Sequence, residues 1–94
     1  MDLNNMDYYE KLKLAKDPNT HKDTLRDLAK GDEGGVMYYV ARNPQSSSKL
    51  LVSILENEKY NKIPRLAVIR ALYHNPKLPY IAKVIIETLF GDML

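Results

Sequence analysis

The chain has 94 residues, of which 45% are hydrophobic and 28% charged, as in one small globular domain. It contains no cysteine, which excludes disulfides, thiolate zinc sites and cysteine nucleophiles. The formal net charge is only +2, a weaker basic excess than nucleic-acid-binding domains usually carry. The first residues are polar and acidic, and no apolar run is long enough to span a bilayer. We therefore expect a cytoplasmic protein.

A short element that contains proline occurs three times along the chain. It reads AKDPNT at 15–20, ARNPQS at 41–46 and YHNPKL at 73–78. The first two prolines are 44 − 18 = 26 residues apart and the next two are 76 − 44 = 32 apart. A self-similar unit at such a spacing is typical of stacked-repeat proteins.

Each copy of this element predicts the end of one helix and the start of the next. Proline has no N–H and moves the preceding residue out of the α region, so helices should end at Asp17, Asn43 and Asn75. Thr20 and Ser46 follow their prolines by two residues, and both residue types favour the N-cap position. We therefore expect Thr20 and Ser46 to cap the second and fourth helices.

Apolar residues at helical spacing predict six helices along the chain. Their expected ranges are 6–16, 22–30, 35–42, 47–57, 64–73 and 79–90. The glycine-flanked segment 31–35 is interpreted as a flexible connector, since it lacks the ligand pattern of a calcium or phosphate loop. Glu56, at the end of the fourth helix, and Glu58, in the loop that follows it, are expected to be solvated.

The combination of AKDPNT at 15–20, LRDLA at 25–29 and VMYYVARNP at 36–44 resembles the leucine-rich repeat variant family. That family is related in shape to HEAT and armadillo solenoids, and the resemblance covers roughly residues 8–90. It implies an all-α fold, a short right-handed solenoid of about three helix pairs. The expected single domain spans 1–94, with repeat units at about 6–30, 35–58 and 63–90. Some family members carry a cysteine-rich iron–sulfur module, which a chain without cysteine does not have.

No pattern of residues in the chain predicts catalysis. The two histidines, His21 and His74, occupy different places in the repeat, so nothing brings them together as metal ligands. Ser-His-Asp order, the H-E-x-x-H motif and a dinucleotide fingerprint are all absent from the sequence. We therefore expect a protein that is not an enzyme and that has no metal site and no cofactor.

One surface pattern is a candidate for binding. Alignment on the prolines puts Lys16, Arg42 and His74 in equivalent positions, which we call the basic row. The same alignment puts Tyr38 and Arg70 in equivalent positions one turn earlier. Stacked units would place these five residues along one face, where they could meet an acidic protein surface or phosphates. The alternative is that basic groups at helix C-termini simply favour the helix dipole.

Two functions are consistent with these observations. The first is a noncatalytic helical-repeat module or adaptor that binds a protein of unknown identity. The alternative is a small nucleic-acid-binding helical-repeat protein. The modest basic excess favours protein binding, and no membrane association is expected.

The sixth predicted helix has more apolar residues than one core-facing side needs. Lys83 and Glu87 are its only charged residues and mark a narrow polar stripe. The remainder suggests an exposed patch and a homodimer through this C-terminal helix. The possible dimer face consists of Ile81, Ile85, Ile86, Leu89 and Phe90. The alternative is that residues 58–62 or 93–94 cover it.

Overall fold

The computed structural model describes residues 5–94, and over that range the chain is helical with no β-strand. Six α-helices are followed by a short 3₁₀ helix at Gly91–Met93. The α-helices are α1 (Tyr8–Lys16), α2 (Lys22–Ala29), α3 (Gly34–Arg42), α4 (Ser48–Lys59), α5 (Leu66–His74) and α6 (Tyr80–Phe90). Their ends lie within two residues of those predicted. The all-α prediction is therefore confirmed for the described part of the chain; residues 1–4 of the predicted domain lie outside it.

The three proline elements fold in the same way. Asp17, Asn43 and Asn75 are the C-cap residues of α1, α3 and α5, and each has an extended backbone, with ψ of 118°, 129° and 121°. The side-chain oxygen of each accepts a hydrogen bond from the N–H two residues later, at 2.9, 2.9 and 3.0 Å. These Asx turns direct the chain away from each helix, so the predicted helix ends are confirmed.

The asparagine side chains also connect each turn to the preceding one. The Asn43 amide donates to the carbonyl oxygens of Ala15 and Asp17, at 2.8 and 2.9 Å. The Asn75 amide donates to those of Ala41 and Asn43, at 2.8 and 3.2 Å. Both asparagines are 3% exposed. Because buried carbonyl groups left unpaired after a helix end are costly, these bonds stabilise the stacking of one turn on the next.

The prediction that Thr20 and Ser46 cap helices is wrong. Both residues are buried, and their hydroxyls donate back to the carbonyl oxygen six residues earlier, at 2.7 and 2.6 Å. They thus satisfy acceptors in the last turn of the helix that has just ended. The N-caps of α2 and α4 are the following residues, His21 and Ser47, whose side chains accept from backbone N–H groups.

The core lies among the helices, with α3 at its centre. This helix packs against α1, α2, α4 and α5. The radius of gyration is 12.7 Å, close to the value of about 12.4 Å for a compact domain of this length. The largest fully buried apolar side chains are Leu25, Val36, Val40, Leu51, Leu55, Val68, Ile69, Leu72 and Ile86. They come from five of the six helices, so these helices share one continuous core.

Candidate interaction surface

The basic row occupies equivalent positions in the three odd-numbered helices. Lys16 and His74 are the last residues of α1 and α5, and Arg42 is the last residue of α3. All three are exposed. A cation in the last turn interacts favourably with the helix dipole, which gives each side chain a local reason for its position.

Two tyrosines of α3 lie beneath Lys16 and Arg42. The Arg42 guanidinium donates to the Tyr38 hydroxyl at 2.9 Å and lies 5.4 Å from the centre of that ring. The Lys16 ammonium lies 4.7 Å from the centre of the Tyr39 ring, so a cation of α1 covers an aromatic side chain of α3. The two rings meet edge to face with their centres 5.0 Å apart. Cation–π contacts and the hydrogen bond therefore hold Lys16 and Arg42 in place.

A groove between α3 and α5 brings four of the five predicted binding residues together. Its volume is about 580 Å³. The lining residues are Tyr38, Arg42, Ala67, Arg70, Ala71, His74, Asn75 and Pro76. Lys16 lies outside this groove, in a neighbouring depression of about 240 Å³ that Arg42 also lines. The five residues therefore occupy one continuous surface through Arg42.

The groove is positive in character. Two guanidinium groups and one imidazole line it, and no carboxylate does. Arg70 donates to the carbonyl oxygen of Met93 at 2.7 Å, which ties the groove to the last described turn. Guanidinium groups bind carboxylates and phosphates with paired, charge-assisted hydrogen bonds. The arrangement is suited to binding an anionic group. Within residues 5–94, no group of three or more potential metal ligands is present.

On the other edge of α5, the Tyr73 hydroxyl donates to the carboxylate of Glu87 in α6. This hydrogen bond raises the pKa of Tyr73, because the neutral phenol is the donor; partial burial and the negative charge of Glu87 act in the same direction. The contact joins α5 to α6. It also assigns a partner to Glu87, which the sequence marks only as part of a polar stripe.

The proposed face of α6 divides into a buried and an exposed part. Ile86 and Phe90 belong to the core, so their inclusion in an exposed dimer face is corrected. Ile85 is half-buried and packs against that core. Ile81 and Leu89 remain 73% and 52% exposed. The period of the helix explains the division: residues 82, 86 and 90, four apart, form the buried side.

Sequence reasoning missed an ionic cluster that links the α2–α3 connection to the end of α4 and the start of α5. Glu58, expected to be solvated, is fully buried, and its carboxylate accepts from the Arg65 side chain at 2.7 Å and from the Arg65 backbone N–H at 2.9 Å. Arg65 also donates to the Asp32 carboxylate at 2.6 Å. The segment expected to be a flexible connector is therefore anchored through Asp32. A signal was present, since Glu58 follows Leu51, Ile54 and Leu55 on the buried side of α4.

The pKa of Arg65 shows which interaction prevails in this cluster. Burial by itself disfavours the charged guanidinium. The hydrogen bonds to Glu58 and then Asp32, together with the charges of both carboxylates, outweigh burial and raise the pKa of Arg65. The guanidinium therefore stays charged, and its charge is matched by two carboxylates within the fold.

Comparison of the chain with known proteins identifies no relative. It matches no protein-family model, and neither the curated proteins nor the solved structures include a significant match. Among residues 5–94, no helix is both long enough and apolar enough to cross a membrane.

Proposed function

We propose that this chain is a noncatalytic helical-repeat module that binds protein, built as a right-handed solenoid of three helix pairs like the leucine-rich repeat variant proteins it resembles. The equivalent turns at Asp17, Asn43 and Asn75 support this architecture. So do the asparagine bonds from each turn to the one before it. A stacked array of this kind exposes equivalent residues along one continuous face, and such faces commonly bind partners.

The observation that carries the proposal is the basic row with its groove. Arg42, Arg70 and His74 line a concave surface that has no acidic residue to neutralise them, and Lys16 extends it. Cations that only complement helix dipoles would not require such a groove. An acidic surface on a protein partner would supply the missing charge, which favours both rapid association and correct orientation.

Nucleic acid is the alternative partner, because the same cations would meet phosphates. The overall charge of +2 argues for protein. Arg65, which lies further along the same face, also contributes little to phosphate binding, since Glu58 and Asp32 already pair with it. The positive surface is thus short, whereas nucleic-acid sites usually engage several phosphates in succession.

The test compares Arg42→Glu with Arg26→Glu, an equal change of charge on the exposed surface of α2. Immobilised wild-type protein should capture a specific protein from its source cell. Arg42→Glu should lose that protein and Arg26→Glu should retain it, with both variants keeping the wild-type circular dichroism spectrum. Capture that survives Arg42→Glu would overturn the proposed surface.

A second measurement separates the two classes of partner. The wild-type chain should elute from a DNA or heparin column at low salt. Retention that weakens steeply with salt, and that Arg42→Glu abolishes, would instead establish phosphate binding.

A further inference from the structure

We propose that the partner enters the groove between α3 and α5 as an extended acidic peptide segment of four or five residues. Its acidic side chains would lie at the Arg42 end and an uncharged residue at the Gly34 end. This inference rests on the proposed function, to which it adds the chemistry and conformation of the bound segment.

The groove extends along the whole length of both helices. A second part of the groove, with a volume of about 560 Å³, lies beside the part that Arg42 lines, and Gly34 lines it. Tyr38 and Ala67 line both parts. Gly34, Tyr38 and Arg42 are four residues apart, so they follow one side of α3 over about 12 Å. An extended chain advances about 3.3 Å per residue, so four residues cover that distance. A helix placed there would present fewer than three turns.

The Arg42 end is built to bind carboxylates. Arg42 is held by the Tyr38 hydroxyl and ring, and Arg70 by the carbonyl oxygen of Met93. Each guanidinium has five N–H donors, so one hydrogen bond leaves several available to a ligand. Because both side chains are already held, they lose less conformational entropy when a ligand binds. His74 at the same end adds a third donor.

The Gly34 end of the groove offers a ligand no unpaired charged side chain. The residues that line this part and not the Arg42 end are Gly34, Gly35, Tyr39, Arg65 and Val68. Arg65 is its only charged residue, and it pairs with two carboxylates of the fold. This asymmetry distinguishes a peptide from a nucleic acid. A nucleic acid carries a phosphate at every nucleotide and needs cations along the whole groove, whereas a peptide can place its acids at one end.

The direct test is a titration of the ¹⁵N-labelled protein followed by NMR. The probes are two acetylated, amidated pentapeptides, each with a leucine at one end and two glutamates at the other, in opposite chain directions. The control peptides replace glutamate by glutamine. One glutamate peptide should give saturable shifts at the amides of Tyr38, Ala67 and Arg70, and its glutamine counterpart should bind at least about tenfold more weakly, the loss expected for one charge-assisted hydrogen bond.

Three variants locate the binding site. Arg70→Gln should raise the dissociation constant of the glutamate peptide about tenfold. Arg26→Gln, the matched change on α2, should leave it unchanged. Ala67→Tyr should abolish binding, because Ala67 is exposed in the shared part of the groove and a tyrosine there would fill it without removing a charge. Peptide binding that survives Ala67→Tyr, in a variant with an unchanged spectrum elsewhere, would overturn the proposal.

Other outcomes would also overturn it. One is the absence of shifts with either glutamate peptide. Another is an oligothymidylate that saturates the same amides more tightly than the peptides, which would assign the groove to nucleic acid. If Arg42→Glu still loses the cellular partner while no peptide binds, the surface contacts a folded protein; then the peptide inference fails and the proposed function stands.

Discussion

Replacement of Asn43 by aspartate isolates the bonds that connect one turn to the next. The side-chain shape is retained, and Oδ1 can still accept from the N–H of Gln45. The amide donor, however, is lost, and a carboxylate oxygen takes its place 2.8–2.9 Å from the carbonyl oxygens of Ala15 and Asp17. Each lost bond costs about 1 kcal/mol, and leaving a buried acceptor unpaired beside a charge costs more. We expect a loss of about 3 kcal/mol from a total stability of roughly 5–14 kcal/mol.

The reverse substitution at the first turn is the matched control. Asp17 is exposed, and asparagine would keep the acceptor for the Asn19 N–H, so Asp17→Asn should change stability by less than about 0.5 kcal/mol. Urea unfolding, followed by circular dichroism, measures the free energy of unfolding of both variants. With an m value of about 1 kcal/mol per molar urea, a loss of about 3 kcal/mol should lower the unfolding midpoint of Asn43→Asp by about 3 M. Protonation of the new carboxyl restores one donor, so the loss should be smaller near pH 4. Equal effects of the two substitutions would refute the stabilising role of these bonds.

Two further predictions concern the ionic cluster and α6. Arg65→Met leaves the buried Glu58 carboxylate without its cation and should cost about 3–5 kcal/mol in urea unfolding, and adding Glu58→Met should recover much of that loss. Arg26→Met, which removes only a surface pair, should cost less than about 1 kcal/mol; a similar small loss for Arg65→Met would contradict the argument. If α6 mediates a homodimer, light scattering of the wild-type protein should give twice the mass of one chain. Ile81→Glu on α6 should reduce the measured mass to that of one chain, whereas the control Ile63→Glu, outside α6, should leave the dimer mass unchanged. A wild-type monomer at high micromolar concentration would end the dimer hypothesis.

The sequence determines the helices and the places where they end. Proline acts through local sterics, so the helix ends at Asp17, Asn43 and Asn75 could be predicted without any knowledge of packing. The apolar spacing that marks each helix is equally local. The candidate binding residues followed from the same repeat, because aligned prolines bring residues such as Arg42 and His74 into register.

Only the tertiary structure decided what the polar side chains contact. The Asn43 side-chain oxygen accepts locally from the Gln45 N–H, but its amide bonds to carbonyl groups 26 and 28 residues earlier, and no local pattern specifies those partners. The Thr20 hydroxyl bonds backwards instead of capping the next helix, because the Leu14 carbonyl oxygen in the last turns of α1 lies within reach. Glu58 is buried because Arg65 reaches it across a connection, and a glutamate without such a partner would have stayed in water. Periodicity specifies which residues share a face, whereas burial of charge depends on partners that only packing brings together.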